Sequence, residues 1–277
     1  MAGLSHCHYN PAGVTDSLSP GVNAALIVAH PGHELLIHHW MERHRPLYFC
    51  LTDGSGGAGE ARIASTSRLL RGVGSTPGSI YGRYSDREIY RLLLEGRVEE
   101  LVALRDELAD GLIAADVAGV TGDAMEGMNP VHDLCRALID SAAAQIRART
   151  GRKLRNHELP IEGGPAAGSH NAAIRLELDE AALERKLAAA RDYPEMRDEV
   201  QQALDQFGRG TFAVESFGAV STGAVLEGFE HTPPHYEMHG EGRVRAGRYQ
   251  HVIRYREHVL PVFLALGVAT PKPQWTT

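Results

Sequence analysis

Cysteine is scarce in this chain: Cys7, Cys50 and Cys135 are the three among 277 residues. So sparse and odd a set, with no CxxC pair, argues against a disulfide framework and fits a reducing compartment. Positive charge is also short: 28 Lys and Arg stand against 35 Asp and Glu, for a net charge of −7. A nucleic-acid binder shows a basic surplus, so that class is disfavoured. No apolar run approaches the ~18 residues of a membrane span. The opening MAGLSHCHYN has no basic stretch followed by an apolar one, so no signal peptide is expected and a cytoplasmic location is the default.

What is there is a globular composition with one excess. Hydrophobic residues make up 43%, enough for a full core in one domain over 1–277. Histidine is the excess, at 15. Residues 1–22 read as an irregular lead-in rich in Gly, Pro and Ser. NAALIVAH (23–30) fits a buried strand, HELLIHHWMERH (33–44) a helix and RPLYFCLTDG (45–54) a second strand. That βαβ unit implies a parallel sheet. A glycine-rich loop, GSGGAGE (54–60), leads to a helix near 61–73. Ser85 and Glu88 form a capping-box pattern at the next helix, and another follows near 97–114. DVAGVTG (116–122) is a further buried strand and 131–150 a long helix. The alternation defines an α/β fold, Rossmann-like, with a mostly parallel sheet and helices on both faces. The second half is less regular: a strand at 172–178, a helix at 179–193, an edge strand at 211–220, a His- and aromatic-rich loop at 231–249 and a last helix at 247–266.

Ligands of such sheets bind at the carboxyl ends of the strands. His30 ends the first strand, and His33 and Glu34 open the helix that follows. A helix N-terminus disfavours imidazolium, and neutral imidazole is the metal-binding form. Zinc needs about three protein ligands beside an open position. His132, after the strand VAGVTG, would share the same rim, with His170 in reserve. The competing reading is a hydrogen-bonded structural histidine at a strand end, and the HxxH spacing alone does not separate the two. His38 and His39 fall further along the helix, and His6 and His8 lie in the lead-in; none of the four is taken as a ligand.

VAHPGHELL, LTDG and EGMNPVHD together resemble the PIG-L/LmbE family of zinc-dependent de-N-acetylases. LERKLAAARDY also resembles that family's segment after its second motif, and the likeness spans roughly 23–207, leaving 208–277 as an extension and candidate lid. The resemblance implies a Rossmann-like fold and a zinc site. His30 matches the first histidine of the family's HPDDE motif, a zinc ligand. His33 stands where that motif has its ligand aspartate, and His132 matches the last, ligating histidine of HPDH. The implied set is therefore three histidines. The family's general base falls on Gly32, which has no acid–base chemistry. Asn129 stands where HPDH has its first histidine; it can donate a hydrogen bond but cannot shuttle a proton. Val131 replaces the aspartate.

Carboxylates that could take over the base are Glu34 and Asp53 first, then Glu126 and Asp133. Each has a plain alternative: Glu34 can hold the helix start or orient His30, and Asp53 can make the Asp-Gly turn. Arg68 and Arg71 could meet phosphate or hydroxyl groups, or be solvated surface residues. The leading expectation is a metal-dependent hydrolase with Zn2+, or Fe2+, acting on the N-acyl amide of a small, sugar-like substrate. The alternatives are a non-catalytic metal- or sugar-binding relative and a three-histidine metalloenzyme with changed chemistry. A homo-oligomer is compatible with all three.

Overall fold

The fold is described from a computed structural model, for residues 23–56, 60–162 and 172–270. His6, His8 and His170 fall outside these residues, as does the middle of the glycine-rich loop.

Among the described residues, seven strands form one sheet: β1 (Ala24–Val28), β2 (Leu47–Thr52), β3 (Thr76–Tyr84), β4 (Gly119–Asp123), β5 (Arg155–Leu159), β6 (Ile174–Glu177) and β7 (Val214–Ala219). Their order is β3-β2-β1-β4-β5-β7-β6. The first five are parallel, and β7 runs antiparallel to both β5 and β6. The Rossmann-like, mostly parallel α/β fold is thus what the chain adopts.

The wholly buried AALIV of β1 explains the layering. Side chains alternate across a strand. Ala25 and Ile27 join one core with helices α3 (Asp86–Leu94), α4 (Val98–Ala114) and α5 (Pro130–Thr150). Ala24, Leu26 and Val28 join another with α1 (His38–His44), α2 (Ile63–Val73) and the end of α6 (Glu180–Arg191). Helices therefore cover both faces. No helix among the described residues is long and apolar enough to cross a membrane.

Several elements differ from the sequence reading. The helix expected over 33–44 opens as a tight 3-10 turn, His33–Ile37, before α1. Strand β3 is unanticipated because TPGSIYGRY carries a proline and two glycines, and its register against β2 is irregular. Strand β5 (RNHEL) and helix α7 (Arg197–Phe207) are also unanticipated. β7 is interior, with β6 outside it. Its Glu215 carboxylate is buried on Lys186 Nζ (3.0 Å) and the amides of His39 (2.9 Å) and Trp40 (2.8 Å).

The C-terminal part is more helical than its composition suggests. α9 (His235–Arg245) occupies much of the expected loop, and α8 (Thr222–His231) leads up to it. The Pro233-Pro234 pair reads as a break, yet proline is well suited to a helix start. The last helix begins later than 247: a π-helical turn, Tyr255–Val259, runs into α10 (Leu260–Ala265). Side chains take the amides just ahead of it, His258 Nδ1 that of Arg254 (2.8 Å) and Glu237 Oε1 that of Tyr255 (2.7 Å). Tyr236, Tyr255, Val262 and Phe263 belong to the same core as α4 and α5.

Candidate metal centre

The strand order reverses direction between β1 and β4, and a crevice opens beyond the carboxyl ends of strands at such a point. Four side chains meet there. His30 and His33 follow β1, Asp123 ends β4, and His132 lies in the first turn of α5.

The turn between the first two is built by Gly32 and Glu34. Gly32 has φ 113°, in the region that favours glycine. Glu34 is fully buried and accepts the Gly32 amide (2.8 Å), the Tyr48 hydroxyl of β2 (3.0 Å) and the Thr66 hydroxyl of α2 (2.8 Å). Burial pushes its carboxyl up, against those donors. One acidic side chain thereby ties the turn to a strand and a helix, and His33 is carried on the tied turn.

The three imidazoles pack edge to face. Ring centroids lie 4.7 Å apart for His33 and His132, 5.1 Å for His30 and His132, and 5.6 Å for His30 and His33. One donor atom each from His33, Asp123 and His132 lie within 4.8 Å of one another. His33 Nδ1 sits 2.9 and 3.0 Å from the two oxygens of Asp123, which is fully buried and also accepts the Ala29 amide (2.8 Å). Burial opposes both charges, but the pairing wins: the His33 pKa is raised and the Asp123 pKa lowered. His30 Nδ1 lies 2.8 Å from Thr52 Oγ1 and 2.8 Å from Asp86 Oδ1. His132 behaves differently. Burial first, then the charge of His33, hold its pKa well below the usual histidine value, so it is neutral at physiological pH.

These residues fit a divalent ion. His132 Nδ1 is buried without a hydrogen-bond partner among the described residues, a state that costs about 1–3 kcal/mol unless something bonds it. A carboxylate on the far nitrogen of a ligating histidine is a recurrent support of metal sites, and His33 has one. Asp123 has two physical readings. It can orient His33 from behind, with both oxygens already engaged, or enter the ligand set itself. The bond to His33 Nδ1 favours orientation, because that nitrogen cannot both donate to Asp123 and bind an ion.

The remaining candidates separate by position. Asn129 is at the centre: it caps α5 through Oδ1 and the Val131 amide (2.9 Å), while its Nδ2 lies 3.4 Å from His30 Nε2. Asp53 makes the turn after β2, accepting the Ser55 amide at 2.9 Å. Asp133 is buried and accepts the amides of Glu126 (3.0 Å) and Gly127 (3.1 Å), holding the loop ahead of α5; burial pushes its carboxyl up to about 7. Glu126 braces that loop from the other side through the Ile161 amide (2.9 Å). His39 pairs with Glu42 on α1, and buried His38 is kept neutral by desolvation. Arg68 bonds Ser65 (2.8 Å), and Arg71 is exposed.

Sequence reasoning missed Asp123 and Asp86. Asp123 had a signal, since it closes an apolar strand on the rim where His30 and Asp53 were sought. Asp86 had none beyond its place in a helix start.

No family model matches this chain, and no curated protein does. Among solved structures it is similar to the zinc-inhibited form of teicoplanin deacetylase Orf2, at 13% identity and a TM-score of 0.45, over 68% of this chain and 92% of that one.

Proposed function

We propose that this chain is a metal-dependent hydrolase that cleaves the N-acyl amide of a small polar substrate. An N-acyl amino sugar or glycoconjugate is the class that the motif resemblance suggests. The observation that carries the proposal is the three-imidazole cluster at the β1–β4 crevice, with a buried carboxylate behind His33. His30, His33 and His132 would hold the ion, zinc in the first place and ferrous iron in the second. Such an ion supplies Lewis acidity, polarising an acyl carbonyl and acidifying water.

The chain's own residues then have distinct tasks. Asp123 holds a proton on His33 Nδ1 and so leaves Nε2 as the free donor atom. Asn129, its Oδ1 committed to the helix cap, offers Nδ2 as a fixed hydrogen-bond donor for a carbonyl oxygen. Glu34, enclosed by three donors, holds the turn and takes no proton. Asp53, which follows β2 on the same rim and whose side chain accepts a single hydrogen bond among the described residues, is assigned the role of proton acceptor.

A second reading has its own observation. A Cβ on Gly32, where the resembled family has its base, would stand 3.0 Å from Met196 Sδ. A thioether fills the space of the lost carboxylate, as in a metal-binding relative without turnover.

The test is metal content of untagged protein, with release of free amine from N-acetyl sugars. About one zinc per chain, with turnover that Asp53→Asn lowers while zinc stays bound, supports the hydrolase. Zinc without turnover favours the second reading. Protein that takes up no divalent ion even when zinc is supplied defeats both.

A further inference from the structure

Asp86 is the first residue of α3, and a helix start is reason enough for an acidic side chain. The capping box there is made by Ser85 and Glu88: the Glu88 amide donates to Ser85 Oγ, and the Ser85 amide donates to Glu88 Oε2. The Asp86 carboxylate turns elsewhere. Oδ2 accepts the amide of Gly56, at the edge of the glycine-rich loop. Oδ1 lies 2.8 Å from His30 Nδ1 as an ion-pair contact and has no hydrogen bond of its own among the described residues; the hydrogen bond of that ring nitrogen is to Thr52 Oγ1, at the same distance. The side chain is 13% exposed. A carboxylate is therefore placed behind His30, held at its other oxygen by the Gly56 amide.

A histidine with an anion at one nitrogen keeps its proton there and shows its lone pair at the other. For His30 the proton belongs on Nδ1. Nε2 is left on the side of Asn129 Nδ2 (3.4 Å). Asp123 stands in the same relation to His33. The two carboxylates come from different elements, α3 and β4, yet each backs one ring of the same cluster.

We infer that Asp86 is a positioning residue, whose carboxylate fixes His30 as the Nδ1–H tautomer and presents Nε2 to the cluster formed with His33 and His132. The consequence for metal affinity rests on the reading of the cluster as a metal centre; the tautomer does not. Asparagine cannot replace Asp86, because its one acceptor oxygen would keep the Gly56 amide while the negative charge beside His30 Nδ1 is lost.

The experiment is 15N NMR of the imidazoles in metal-free protein, followed by zinc titration against a competing chelator. Wild type, Asp86→Asn, Asp86→Glu and Glu88→Gln are compared. The wild type is expected to show His30 with its proton on Nδ1. Asp86→Asn is expected to mix the tautomers and weaken zinc about 10–100-fold, with partial recovery in Asp86→Glu. Glu88→Gln, which weakens the helix start without touching His30, is expected to lower the melting temperature and leave tautomer and zinc unchanged. A wild-type His30 protonated on Nε2 overturns the inference, even if Asp86→Asn does not fold. An unchanged tautomer in folded Asp86→Asn overturns it as well. A wild type with the Nδ1–H tautomer that binds no zinc upholds the positioning role and overturns the metal reading instead.

Discussion

The two sides of the candidate centre are built differently. On the β1 side, His30 and His33 sit on a turn bolted by Glu34, and each has a carboxylate at Nδ1. On the α5 side, His132 has no partner for its buried Nδ1 among the described residues. That side is positioned through backbone instead, by Asn129 capping the helix and Asp133 gathering the amides of the loop before it. Two rings are oriented by charge, and one is oriented by the helix that carries it. The lesson is that like ligands at one site can depend on unlike supports, and substitution should expose which.

The sharpest break comes from removing a ring on either side. His33→Ala and His132→Ala are each expected to take bound zinc from about one per chain to near none, by elemental analysis. If His132→Ala keeps its metal, the α5 side is no part of the centre. Removing the support alone should do less. Asp123→Asn leaves one acceptor for the Ala29 amide and His33, and zinc should weaken about 10–100-fold; an unchanged affinity in a chelator competition would mean that His33 needs no carboxylate.

Stability changes come next. Glu34→Gln loses an acceptor among three buried donors, and should cost about 2 kcal/mol in urea unfolding. Zinc stoichiometry should survive, and turnover should fall no further than the folded fraction does. On the other side, Asp133 titrates near 7 in the folded chain against an ordinary 3.8. A raised carboxyl pKa gives stability that is complete below the ordinary value and is lost as pH rises through about 7. Asp133→Asn removes that loss. Between pH 5 and pH 8 its unfolding free energy in urea should therefore gain on that of the wild type, by about 2 kcal/mol. Parallel pH curves for the two proteins would show that the carboxyl is not buried as described.

Legibility of the site followed the range of the interactions. His30, His33 and His132 were readable on one rim because strand ends and helix starts are local patterns, and the switch point brings them together. Asp123 was within reach of the same rule. Asp86 was not, because its contact with His30 depends on how β3 and α3 return to the crevice, and TPGSIYGRY gives little sign of being a strand. Glu34 had two readings in the sequence, candidate base and support of the helix start, and its hydrogen bonds with Tyr48 and Thr66 favour the second.

The sequence by itself determined the parallel α/β core and the rim on which the histidines gather, since both follow from short-range periodicity and turn chemistry. Only the tertiary structure decided which carboxylate meets which ring, that Met196 fills the space beside Gly32, and that β7 is interior. Those outcomes depend on contacts between segments far apart in the chain, where burial and hydrogen-bond satisfaction select one partner among many that the local pattern allows.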